Sequence, residues 1–282
     1  MSFLLLAIGF STCIFITFKI FQRFEINLIQ AITVNYIVAV SSGILSLPHS
    51  YSFNELMDRE WIYYALGVGV LYVLIFFVFA NSAQKAGVAI TAVSSKMSLV
   101  IPVVFGFLLF NEQLNIQKIL GVSLALIAFY FTFQQKSKTN RKYLFLPLLL
   151  FLGTGTADTL QKKSQTLFVN GDEIMFLVVT FSVALLIGFA AFLVIKSKNH
   201  QKIHLKNIIG GTILGLFNWV STLFFIKGLN SMEVSIFIPV FNASIVTNAA
   251  IIGFLFFNEK LRKINWAGIM LAIFSIILIA IS

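Results

Sequence analysis

Long apolar runs follow one another along the chain, each closed by a short cluster of charged or turn-forming residues. A hydrocarbon core takes roughly 20 residues of helix to cross, and on that measure the pattern predicts ten spans. They cover residues 2–18, 28–47, 61–80, 88–110, 116–133, 143–161, 174–195, 205–227, 234–257 and 264–281. The longest connection, around "PHSYSFNELMDRE", is too small for a separate folded domain. The first run has no basic residue ahead of it and no small-x-small cleavage pattern, so it reads as a retained helix and not a signal peptide.

One phrase occurs twice. "FLLFNEQLNIQKILGVSLAL" begins at Phe107 and "FLFFNEKLRKINWAGIMLAI" begins at Phe254, an offset of 147 (254 less 107). Phe107, Leu108, Phe110, Asn111, Glu112, Leu114, Gly121, Leu124 and Ala125 meet identical residues at that offset, ending with Gly268, Leu271 and Ala272. Each phrase reads as a helix end, a tight turn and a new helix. The same offset, without a gap, places Tyr72 over Trp219 and Ser11 over Asp158, so the repeat extends over five spans. Because five is odd, halves joined in series enter the membrane from opposite sides, the inverted-repeat plan of many secondary transporters. The expected fold is therefore an all-α integral membrane protein of ten helices in two inverted five-helix repeats. The repeats cover 1–135 and 143–282, joined by a basic cytoplasmic linker at 136–142.

Composition agrees with a bilayer as solvent: 59% of residues are hydrophobic, 11% are charged and the mean hydropathy is +0.96, outside the range of soluble globular chains. Basic residues collect in the connections after odd-numbered spans, from Lys19 and Arg23 through Lys136–Lys142 to Lys260, Arg262 and Lys263. Connections after even-numbered spans hold only Arg59, Lys118, Lys162, Lys163 and Lys227, with Glu55, Asp58 and Glu60 beside Arg59. Positive residues mark cytoplasmic loops, so both termini are expected outside a cytoplasmic membrane. The net charge of +10 reads as anchoring to anionic lipid in preference to nucleic-acid binding. The single cysteine, Cys13, offers neither a disulfide framework nor a metal site.

Ten spans in two halves, with "NEQLNIQKILG" and "NEKLRKINWAG" at the fourth-to-fifth and ninth-to-tenth junctions, resemble the EamA branch of the drug/metabolite transporter superfamily. The resemblance covers nearly the whole chain. It implies a substrate pathway between the halves and alternating access without naming the cargo, and the inverted repeat leads us to expect rocking of the two five-helix halves around a site near the membrane midplane. The prolines at Pro102 and Pro239 do not align at the repeat offset, so no helix-break geometry is carried over from the family.

In the repeated phrase, Glu112 and Glu259 each follow an Asn that can end one helix, and each is expected in the first turn of the next helix, where a carboxylate suits the dipole. Gly121 with Ala125 and Gly268 with Ala272 are small-xxx-small pairs that let helices approach within one chain or between the copies of a homodimer.

Ionisable groups deep in spans are costly and point to function. Lys96 lies about nine residues into its span, roughly 12 Å at the helical rise. It points about 100° away from most of the stripe formed by Thr91, Ser95, Ser98 and Pro102, and we assign Lys96 to the pathway and the hydroxyl stripe to packing. Asp158 opens a face shared with Gln161, Lys162 and Gln165. That face is either an i, i+4 ion pair near the outer interface or a place to bind substrate or a proton. Tyr72, its repeat partner Trp219, Asn218, Asn242 and Asn35 complete the pathway candidates, against the alternative of interhelical hydrogen bonds and interfacial belt contacts.

The first span holds no membrane-embedded glutamate of the small-multidrug type, Glu25 lying beyond its end. With Lys96 the one cation deep in a span, phosphorylated cargo, which calls for several converging cations, loses ground to a neutral, zwitterionic or singly anionic metabolite. A carboxylate could pair with Lys96 while Tyr72 and Trp219 hold an apolar group. No zinc pattern, nucleophile elbow or membrane aspartate pair suggests an enzyme, and no cofactor or metal is expected. The expected function is a secondary transporter, an exporter of a small metabolite such as an amino acid. The alternatives are a non-transporting scaffold or a carrier for uptake of sugars or drug-like compounds. A reporter that is active only outside the cytoplasm should give signal when fused after Ser282, and silence there with activity after residue 138 would invert the topology.

Overall fold

The computed structural model describes residues 2–47, 53–110, 116–133, 143–165, 167–168, 172–199, 202–231 and 234–280. All regular structure among them is helical. The helices are α1 (Ser2–Arg23), α2 (Leu28–Leu45), α3 (Phe53–Met57), α4 (Ile62–Lys85), α5 (Val88–Met97) and α6 (Val100–Phe110). They continue with α7 (Ile116–Phe133), α8 (Phe145–Gln165), α9 (Asp172–Asn199), α10 (Leu205–Ser231), α11 (Val234–Phe257) and α12 (Lys263–Ala280). Among the described residues seven segments are long and apolar enough to cross a membrane, one of them Val88–Phe105 across α5 and α6, and the apolar stretches Ile119–Thr132 and Lys263–Ile279 are shorter. Large apolar side chains face outward, Leu45 at 87%, Ile116 at 76% and Phe256 at 75% exposure, a surface suited to lipid and not to water. This is a multi-pass membrane protein.

Local chemistry sets the helix ends. Asn27 caps α2, its side-chain oxygen accepting from the backbone N–H groups of Ile29 and Gln30. At Gly87 the chain takes φ +108 between α4 and α5, a conformation open to glycine. The helix expected over residues 88–110 is interrupted at Ser98–Leu99, while Val88–Phe105 still reads as one span. Pro102 has no N–H to give the Ser98 carbonyl, and Ile101 N–H takes it instead at 2.9 Å, one residue early. In the second repeat α11 continues through Pro239, its sixth residue, without interruption.

The residues cluster into two compact units. One holds Met1–Ile20, Val78–Gly155 and Val220–Ser282, the other Phe21–Phe77 and Thr156–Trp219. Each draws on both sequence repeats, and α1, α4, α8 and α10 begin in one unit and end in the other.

Within the first unit α7 packs on α12, its counterpart at the 147 offset. A Cβ on Gly121 would stand 2.5 Å from Ile279 Cγ1, and one on Gly268 would stand 2.8 Å from the backbone nitrogen of Thr132. Adding 147 to Gly121 gives Gly268, and adding it to Thr132 gives Ile279, so these are equivalent contacts between antiparallel helices. Ser275 Oγ also donates to the Gly121 carbonyl at 2.7 Å. The small-residue faces are thus occupied within the chain. Counterparts α5 and α11 pair antiparallel in the same unit, Ala89 near Gly253 and Lys96 over Phe241. In the second unit α2 pairs antiparallel with its counterpart α9, Thr33 Oγ1 donating to the Gly188 carbonyl and Gly43 facing Val178.

Gly268→Val is predicted to cost about 1–3 kcal/mol by overpacking, read as a lower unfolding midpoint of detergent-purified protein. Gly9→Ala, where a Cβ meets nothing within 4 Å, should be close to neutral, and equal midpoints for the two variants would count against this contact as a packing constraint.

Candidate functional site

In the first unit Lys96 is half-buried near the end of α5, its Nζ 5.1 Å above the ring centroid of Phe241 on α11. Phe241 itself stacks on Phe237 and meets Phe225 edge-on at 4.9 Å. The ammonium therefore lies at the margin of an aromatic cluster whose ring face attracts it. The hydroxyl stripe is used otherwise: Thr91 and Ser98 are buried, Thr91 Oγ1 lies 2.7 Å from Ser82 Oγ, and Ser98 bonds back to the Ser95 carbonyl.

On α11 Asn242 is half-buried, but the polar face that borders open space lies further along. Ser244, Thr247 and Asn248 line a cavity of about 330 Å³ with Val240, Ala243 and Ile277. Asn248 Nδ2 reaches Thr12 Oγ1 on α1 at 3.4 Å. Sequence reasoning missed this stripe, although its i, i+3, i+4 spacing inside an apolar helix was there to be read. It offers neutral hydrogen-bonding groups beside apolar walls, the usual make-up of a small-molecule pocket.

The other candidates belong to the second unit. Asn35 is fully buried on α2 and accepts from Asn218 Nδ2 on α10 at 3.2 Å. Trp219 is buried with its ring 3.2 Å from where a Cβ on Gly43 would stand, so it packs α10 on α2. Tyr72 on α4 donates to Gln161 Oε1 on α8 at 2.8 Å, and Asp158, half-buried, lies one turn earlier on the same face of α8. The structure thus joins Asn35 with Asn218, and Tyr72 with the Asp158–Gln161 face, while Lys96 and Asn242 lie in the first unit.

For Glu259 the structure corrects the sequence reading. α12 begins at Lys263, so Glu259 lies in the connection before it and not in its first turn. Its carboxylate caps a different helix, accepting from the backbone N–H groups of Val88 at 2.6 Å and Ala89 at 3.2 Å at the start of α5. Lys19 Nζ stands 3.8 Å from Glu259 Oε1 and donates to the carbonyls of Ala83 and Gln84. A Cβ on Gly87 or Gly253 would crowd this carboxylate, to 3.0 and 2.6 Å. The N-terminus of α12 is served by Asn265, which accepts from Arg262 N–H and donates to the Phe131 and Thr132 carbonyls of α7. Glu112 lies outside the described residues. Among the described residues no group of three or more metal-ligating side chains converges.

The EamA-like transporter family matches this chain twice, over residues 1–134 and 141–281. A relative from Haemophilus influenzae, an uncharacterized protein, is 28% identical over 283 residues, covering 97% of this chain and 95% of its own. The chain belongs to the EamA-like transporter family, and with it to the drug/metabolite transporter superfamily.

Because hydrogen bonds to a charged group are worth about 1.5–3 kcal/mol, Glu259→Ala should destabilise the protein by about 2 kcal/mol. Glu259→Gln, which keeps an acceptor for α5, should recover part of it. Thermal unfolding compares the three proteins, and an unchanged midpoint in Glu259→Ala would rule out the cap as a stabilising contact.

Proposed function

We propose that this chain is a secondary transporter that exports a small neutral, zwitterionic or singly anionic metabolite, such as an amino acid, across the cytoplasmic membrane by alternating access. The observation that carries the reading is Lys96, a half-buried ammonium inside a span, resting on the Phe241 ring at 5.1 Å. A cation at that depth is costly, and a carboxylate arriving from the cytoplasm would meet it with an aromatic wall at its side. The polar cavity face of Ser244, Thr247 and Asn248 supplies neutral hydrogen bonds for the rest of a metabolite. Ten spans complete the proposal: nine apolar segments together with α8, whose second half carries Asp158, Gln161, Lys162 and Lys163. The basic connections face the cytoplasm and both termini face outward.

Rocking of the two sequence halves as rigid bodies, the motion expected from the repeat alone, is not the motion we propose. Three helices pair with their counterparts in the other half, and separating the halves would shear contacts such as Gly121 against Ile279. Alternating access has to keep these pairs together.

The test compares metabolites inside and outside cells holding wild type, Lys96→Ala or an empty vector, at equal membrane abundance. Wild type should lower the internal level of one compound class, and Lys96→Ala should transport it about tenfold more slowly, the equivalent of 1.4 kcal/mol. If wild type and vector match across growth conditions, the exporter reading fails, and if wild type raises internal levels the direction is uptake.

A further inference from the structure

Tyr36, on α2 of the second unit, stood outside the sequence candidates. It is fully buried, and its hydroxyl has no hydrogen-bond partner among the described residues. In a membrane span such a group has no water to turn to, so an orphaned hydroxyl marks a place where something else completes the bonding.

The surroundings of Tyr36 indicate what that is. Its ring lies 5.6 Å from Phe76 on α4 and 6.1 Å from Phe181 on α9, and Tyr72, one helical turn before Phe76, lies 6.1 Å from the same Phe181. Four rings from three helices therefore form one aromatic cluster. Tyr72 fastens that cluster to α8 through its hydrogen bond to Gln161, and the same face of α8 carries the carboxylate of Asp158 one turn earlier.

Ring faces attract positive charge, a carboxylate neutralises it, and a phenol oxygen accepts an N–H. A carboxylate ligand would meet repulsion from both the ring faces and Asp158. A neutral alcohol would answer Tyr36 but leave the aromatic and acidic character unused. A small inorganic cation calls for a shell of several oxygen ligands, which a wall made mostly of carbon does not supply. We propose that the Tyr36, Tyr72, Phe76, Phe181 and Asp158 constellation is a cation-recognition subsite that takes the ammonium group of an amine-bearing metabolite. It rests on the transporter reading above and names a group that the cargo carries. Lys162, one turn beyond Asp158, lies on the same face of α8.

A homologous set of probes separates charge from bulk: n-butylammonium, n-butanol and n-butyrate share a carbon skeleton and differ in charge. The full chain, purified in detergent, is titrated with each while its thermal unfolding midpoint is followed. The expected result is a saturable rise with n-butylammonium alone. The rise should be lost in Asp158→Asn and shifted to at least tenfold higher concentration in Tyr36→Phe, which keeps the ring and removes only the hydroxyl. Both variants must match the wild-type midpoint without probe, and a variant that does not is replaced by competition of n-butylammonium with the exported compounds on the wild-type protein. An equal rise with n-butanol, an undiminished rise in Asp158→Asn, or no rise at all would overturn the subsite. In the cell comparison, redistribution confined to compounds without an amine would overturn it while leaving the transporter standing. A lack of any redistribution would remove the transporter reading and leave the binding titration to decide the subsite.

Discussion

Gly121 against Ile279 and Gly268 against Thr132 are one contact made twice, and much of the first unit depends on it. Between helices in lipid there is little hydrophobic drive to association, so packing has to come from close backbone approach and a few interhelical hydrogen bonds. Glycine at both equivalent positions permits that approach, and Ser275 adds a hydrogen bond to the Gly121 carbonyl. Since α7 and α12 are counterparts running antiparallel, the same arithmetic that relates the sequences also relates their contacts. The pairings of α2 with α9 and of α5 with α11 follow this rule. The compact units consequently cut across the repeats.

Against this apolar scaffold the polar groups fall into two kinds. Some close the ends of helices: Asn27 on α2, Asn265 on α12 and Glu259 on α5. Others lie within spans and face rings or open space, among them Lys96 on Phe241, Asn248 beside Thr12, and Tyr36 within its aromatic cluster. The first kind satisfies backbone groups that lipid cannot serve. The second kind closes no helix end, and the functional proposals rest on it.

Helix positions were readable in the sequence because a span is a long signal: each of the ten expected segments is occupied by helix, and α7 and α12 keep the 147 offset at both ends. The break at Ser98–Leu99 was less visible, since Pro102 and Pro239 both lie in apolar runs and only the first accompanies an interruption. Which helix Glu259 caps could not be read locally, because its partners Val88 and Ala89 are some 170 residues away in the chain. Among the site candidates, residues of unusual polarity such as Lys96 and Asp158 were conspicuous. Tyr36 looked like any aromatic residue in an apolar run until its orphaned hydroxyl was seen, and Ser244, Thr247 and Asn248 needed the cavity to distinguish them from packing hydroxyls.

The tie from Glu259 to the start of α5 also bears on how the protein is made. A ribosome delivers Val88 and Ala89 to the membrane long before it reaches residue 259, so through most of synthesis the amino end of α5 waits without its carboxylate. The first repeat does not carry the group that caps its own α5. That contact exists only once the connection before α12 has been made, so the two repeats share a helix end that neither completes alone.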